Sequence, residues 1–130
     1  MDAMLALAEE RYIAVHFSND LGNGIDGIYM EKPGLPQIIG INKRILSNTR
    51  YARCVFAEEL GHHFTTVGDH VPKEFYCYAQ RLVIDREEYK AMKWACMYLI
   101  PENDLLDSLR DGLCEIWELA EYFRVTDDFM

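Results

Sequence analysis

In the middle of the chain, Ala52, Val55, Phe56 and Leu60 recur at steps of three and four, the spacing that lines apolar side chains along one face of an α-helix. A helix here also fixes its polar residues. Glu58 and His62 stand four apart, which makes them neighbours on one face at roughly 5 to 6 Å between Cβ atoms. Glu59 lies one step round the helix, and a second histidine, His63, follows directly. The pattern that demands burial therefore sets a carboxylate and an imidazole side by side, with another carboxylate next to them.

The flanking segments predict what this helix packs against. Met1 to Arg11, rich in Ala, Leu and Glu, suits a short helix, and Ile13, Val15 and Phe17 alternate as in a strand over Tyr12 to Phe17. Gly22, Asn23 and Gly24 break the chain before a second strand over Gly27 to Glu31. Pro33 and Gly34 mark a turn before a third strand over Gln37 to Ile41. After the central helix, Thr65 to Pro72 reads as a loop. Lys73 to Leu99 is helical in composition, with an interruption expected near Asp85, and ends before Pro101. A last acidic helical stretch runs from about Glu102 to Phe123 with a break at Gly112. The expected fold is α+β, a small antiparallel sheet of about three strands packed with helices. With 130 residues, 50% of them hydrophobic, the chain has enough apolar surface for one domain spanning 1–130 and too little for two ordinary ones.

Charge narrows the partners. The net charge of -9, from 22 acidic and 13 basic residues, repels a phosphate backbone, so nucleic acid is not the expected partner. Met1 to Glu10 carries Asp2, Glu9 and Glu10 and has neither a basic leader nor a long apolar run, so neither export nor a membrane span is signalled and a cytoplasmic setting is expected. Cys54, Cys77, Cys96 and Cys114 are widely spaced, without the close pairs of a zinc ribbon, and read as reduced thiols used as small core residues.

A hydrolytic metal site usually has three protein ligands and one open position. Glu58 and His62 supply two. Glu88 supplies a third, because Glu88, Ala91, Ala95 and Tyr98 fall on one otherwise apolar stripe, and a carboxylate on a core-facing stripe costs several kcal/mol unless it meets a charge or a metal. Glu59 then points toward a water on the ion, where a metallopeptidase needs its base. Taken alone, Glu58 to His62 reads equally well as a solvated helix face; the inward Glu88 tips the balance. His63 reads as a partly buried helix histidine, with a shifted ligand pair of Glu59 and His63 as the rival. His16 and His70 read as structural.

Asn42, the Arg44 to Arg50 segment, Phe56 to His63, and the series Glu88, Ala91, Trp94, Ala95, Leu99, Pro101 together resemble the ImmA/IrrE family of metallopeptidases. That family's pattern is a strand ending in Asn, an HELGH helix and an ExxAxxFAxxLLMP-like helix. The resemblance covers about residues 25 to 101, and Ala120 to Val125 is similar to a further segment of family members. It implies a zincin-like bundle of helices, with His62 and Glu88 as metal ligands, Glu59 as general base, and Glu58 standing where the family has its first metal-binding histidine. It also implies a metal-dependent endopeptidase, zinc being the usual ion, whose protein substrate in prophage-encoded members is the helix-turn-helix repressor that silences the element.

The exchange at position 58 has physical content. A carboxylate oxygen ligates zinc at about 2.0 to 2.2 Å, much as an imidazole nitrogen does. Glu58, His62 and Glu88 cancel the charge of a divalent ion, whereas two histidines and one glutamate leave it at +1, so a bound water is acidified less and Mn²⁺ or Fe²⁺ compete better with zinc. The sequence singles out no oxyanion partner; Tyr76, Tyr78 and His63 are the candidates. The alternative function is a module on the same scaffold that binds and sequesters a protein partner without hydrolysis. The plainest reading is a helical mobile-element protein without catalysis.

Overall fold

The computed structural model describes residues 1–19, 21, 24–31, 34, 36–65 and 78–130, with backbone alone for 78–85. In chain order the elements are α1 (Asp2–Glu10), β1 (Ala14–Ser18), β2 (Gly27–Met30), β3 (Ile38–Asn42), a 3₁₀ turn (Lys43–Ser47), α2 (Thr49–Thr65), α3 (Tyr78–Leu99), α4 (Glu102–Arg110) and α5 (Ile116–Phe123). This is the expected α+β architecture. The expected loop of Thr65 to Pro72, His70, Tyr76 and Cys77 lie outside the described residues apart from Thr65, as do Gly22, Asn23 and Pro33 of the two expected turns.

The three strands fall where the alternation places them, but their pairing corrects the antiparallel expectation. The order is β1-β3-β2. β2 runs antiparallel to β3, with Gly27 opposite Ile41 and Tyr29 opposite Ile39, whereas β1 runs parallel to β3, with Val15 opposite Ile39 and Phe17 opposite Ile41. β3 takes the centre because it is apolar on both faces: Ile39, Gly40, Ile41 and Asn42 are all buried, as suits a strand covered from two sides. Period-two alternation identifies strands and not their neighbours, so it cannot tell a central strand from an edge.

α2 is the hub. Ala52, Cys54, Val55, Phe56, Ala57, Leu60, Gly61 and His62 are buried along it, more than one face of a helix, because the sheet covers one side and α3 another. Phe56, Leu60, Ile39, Ile41, Met4 and Val125 are the fully buried large side chains at its centre, and burying a residue such as Phe56 contributes about 2 to 3 kcal/mol. α3 lies so close that a Cβ on Gly61 would stand 2.3 Å from the Ala91 carbonyl oxygen. Ala91 and Ala95, both without exposed surface, keep this seam thin. α3 is continuous through Asp85, so the expected interruption is absent; an aspartate inside a long helix costs only about half a kcal/mol, too little to break one held by packing.

Asn42 ends β3 and fixes the approach to β2. It is buried, its amide donates to the Asp26 carbonyl at 2.8 Å, its Nδ2 donates to the Ile25 carbonyl at 3.1 Å, and its Oδ1 accepts from the Arg44 amide at 3.0 Å. Arg44 then pairs with Asp26 at 2.7 Å, and the Tyr51 hydroxyl of α2 donates to the same carboxylate. The Asp26 carboxyl is held below its usual range, first by the Tyr51 hydrogen bond and then by Arg44.

The helical break at Gly112 is real: α4 stops at Arg110, and Gly112 takes φ +97 before α5 begins. Cys54 is a buried free thiol and Cys96 is half-buried, as expected of small core residues, but Cys114 is exposed. It lies between α4 and α5, outside the core its apolar character predicted.

Candidate active site

Three of the four sequence-predicted site residues come from consecutive turns of α2 and the fourth from α3. His62 Nε2 lies 3.2 Å from Glu88 Oε2. The imidazole is buried, while the Glu88 side chain keeps 37% of its surface exposed. Register between the helices follows from packing: Gly61 lies against the backbone of Ala91, and their neighbours His62 and Glu88, one residue and three residues away, meet across the same seam.

The electrostatics tie the four groups together. Burial pushes the Glu59 carboxyl up to about 8, with His62 pulling it back and the charges of Glu58 and Glu88 adding to the rise. Glu58 is raised by burial and then by Glu88, against the pull of His62. For His62, burial works against the imidazolium, but the hydrogen bond to Glu88 and the charges of Glu59, Glu88 and Glu58 outweigh it, so its pKa ends above the ordinary value.

β2 closes over Glu59. A Cβ on Gly27, its first residue, would stand 2.6 Å from Val55 Cγ1 and 3.2 Å from Glu59 Cγ, so the missing side chain lets the strand lie against this carboxylate. Sequence reasoning missed this role of Gly27. Its only local sign is the Gly at the head of a strand, where close backbone approach is one usual reason.

His63 is placed against β2 instead of Glu88. Its Nδ1 lies 3.1 Å from the Tyr29 hydroxyl, which also reaches Glu31 at 3.5 Å, and its ring meets Phe64 edge-on. Burial and then Arg11 lower its pKa, against Glu31. The shifted pair of Glu59 and His63 finds no support in this placement. Phe64 continues into a stack with Trp94 and Tyr98, with centroids 4.9 and 5.1 Å apart. Of the three oxyanion candidates, Tyr76 and the Tyr78 side chain lie outside the described residues. His16 is exposed on β1.

Among the described residues, no three His, Cys, Asp or Glu side chains stand as a ready metal-binding group. His62 and Glu88 are the donors brought into contact; Glu58, one helical turn before His62, joins them through its charge. The arrangement can nonetheless move protons, because a carboxyl poised near 8 can accept or give one at neutral pH.

No helix among the described residues is long and apolar enough to cross a membrane. Comparison with curated proteins and with solved structures gave no match. The family described as the IrrE N-terminal-like domain, a peptidase family, matches residues 8–130. That span takes in the Asn42 corner, both site-bearing helices and the C-terminal Ala120 to Val125 segment, so the chain belongs to the ImmA/IrrE peptidase family.

Proposed function

We propose that this protein is a metal-dependent endopeptidase in which Glu58, His62 and Glu88 hold a divalent cation and Glu59 is the general base. The observation that carries the reading is the His62–Glu88 contact beside Glu58 and Glu59, whose carboxyls are raised first by burial and further by the charge of Glu88. Such a cluster concentrates negative charge in a partly buried place, and a divalent cation is the partner that lowers its energy. The donor set of one nitrogen and two carboxylates suits zinc, with Mn²⁺ or Fe²⁺ as competitors. A bound cation would supply polarisation of the peptide carbonyl and acidification of a water.

The chain's own residues do the rest. Glu59, covered by β2, takes a proton from the attacking water and hands it to the leaving amine nitrogen. Glu88 orients His62 through their contact. The substrate is a protein, and in this reading it is the helix-turn-helix repressor of a prophage or mobile element, met in the cytosol. Family membership supports the peptide bond; the repressor rests on the resemblance to prophage-encoded members.

Glu59→Gln should leave metal content, measured by elemental analysis after dialysis against zinc, near the wild-type value. Cleavage of a co-expressed repressor should fall by about 10² to 10⁴-fold. Undiminished cleavage in that variant would overturn the assignment of the base.

A second reading is a module that sequesters its partner without hydrolysis. It is favoured by Glu58 in the place of a histidine and by the absence of three gathered donors among the described residues. Protein that takes up no zinc, Mn²⁺ or Fe²⁺ in calorimetric titration yet still captures the repressor would select it.

A further inference from the structure

The chain carries a net charge of -9, yet three of its arginines share one cavity far along α2 from the carboxylate cluster. The cavity, about 750 Å³ and open to solvent, lies between the start of α1, the first turns of α2 and the end of α5; half-buried Arg53 and exposed Thr49, Arg50 and Arg124 line it together with exposed Asp2 and Glu121. The arginine ion pairs among the described residues are Arg44–Asp26 and Arg110–Asp107, so neither carboxylate of the cavity neutralises one of its guanidiniums by contact.

The arginines are held in place by neutral groups. Arg53 Nε donates to the Arg124 carbonyl at 3.1 Å and its Nη2 to the Phe123 carbonyl at 3.5 Å, which fixes the guanidinium without cancelling its charge and leaves further donors of the fork unused. Arg124 ends α5 at φ +58. A residue with a side chain costs about 1 kcal/mol or more in that left-handed conformation, and glycine would sit there without strain. Here the position carries a cation turned to the same cavity.

α2 adds to this field. Asn48 takes the amide of Tyr51 with its side chain at 3.2 Å and that of Ala52 with its carbonyl at 2.9 Å. The amides of Thr49 and Arg50 are the remaining donors of a first turn whose partial charge is positive. Guanidinium forks combined with a helix N-terminus match a phosphate group, which offers several oxygens at once.

Asp2 and Glu121 set the limit. Three guanidiniums against two carboxylates leave the wall's side chains at +1, and the Met1 amino group, its pKa lowered by burial and by Arg53 and Arg124, adds up to one more positive charge, enough for one small anionic group. The volume exceeds that of orthophosphate, so the hydroxyl or amino groups of a larger ligand have room to face Asp2 and Glu121. We propose that this cavity binds the phosphate group of a small molecule, either free orthophosphate or a phosphomonoester, and that its occupant ties α1, α2 and α5 together.

The test is thermal unfolding and calorimetry of the full chain in chelator, at constant ionic strength set with sodium chloride, with orthophosphate or glycerol 3-phosphate added. Binding should raise the melting temperature by about 2 to 4 °C at tenfold saturation or above. Arg124→Asn, which tolerates the left-handed backbone, and Arg50→Gln should each abolish the shift, and Glu121→Gln should tighten binding by about threefold or more. Equal shifts with both probes assign the site to orthophosphate; a larger shift with the ester assigns it to phosphomonoesters. No shift with either probe, or the same shift in Arg124→Asn as in wild type, overturns the proposal.

Discussion

Glu59, Glu58 and His62 all have pKa values above their ordinary ones, so these three groups bind more protons in the native protein than in the unfolded chain, while His63, lowered by burial, works against them. Stability from these groups is present at low pH and is lost as pH rises toward the folded values; the window for Glu59 runs from its unfolded value near 4.5 to about 8. With chelator present, chemical denaturation should give a lower unfolding free energy at pH 8 than at pH 5, by an amount on the order of a few kcal/mol. Glu59→Gln should flatten that slope. Titrating zinc in buffers of differing ionisation enthalpy should reveal proton release, because the ion displaces those protons. Glu58→His should tighten zinc binding about tenfold or more and favour zinc over Mn²⁺, since imidazole is the softer ligand; unchanged selectivity would remove Glu58 from the ligand set. The His62–Glu88 contact was legible because helical steps of three and four place residues on faces without knowledge of the fold. Gly27 against Glu59, and Tyr29 against His63, were not, since both depend on how β2 lies across α2, and no local pattern encodes that register.

At the level of elements, the α2–α3 seam decides whether the site exists. Gly61→Ala inserts a methyl 2.3 Å from the Ala91 oxygen, which is backbone and cannot swing aside. Overpacking of this kind costs about 1 to 3 kcal/mol, and the displacement should lengthen the His62–Glu88 contact. Denaturant unfolding should show the loss of stability, and metal titration should show weaker binding than in an equally destabilised core variant such as Val55→Ala. The stripe of Glu88, Ala91 and Ala95 predicted this face correctly: both alanines are fully buried and Glu88 meets its partner. Sheet topology escaped the sequence for a different reason. β1 and β2 are consecutive in sequence and each alternates acceptably, yet β3 lies between them in the sheet, so that neighbours in sequence become opposite edges.

At the scale of the whole molecule, one buried cluster runs from Met4 and Ala8 of α1 through α2 to Leu119, Phe123 and Val125. The two ends of the chain meet on the same helix. A chain ending at Asp111 should therefore unfold without a sigmoidal transition and bind a hydrophobic dye, while the full chain gives a single cooperative transition; a sharp transition in the shortened chain would show that the C-terminal helix is not part of the folding unit. Exposed Leu106, Leu109, Ile116 and Trp117 indicate that α4 and the start of α5 contribute less to that unit than the segment after them. Gly61 resting on Ala91 bears on how an ion would be captured. Helices in backbone contact cannot draw nearer, so an ion at the proposed site would be met by rotamer changes of Glu58 and Glu88. Crystals grown in chelator should accordingly tolerate a soak in zinc without cracking or changing cell dimensions.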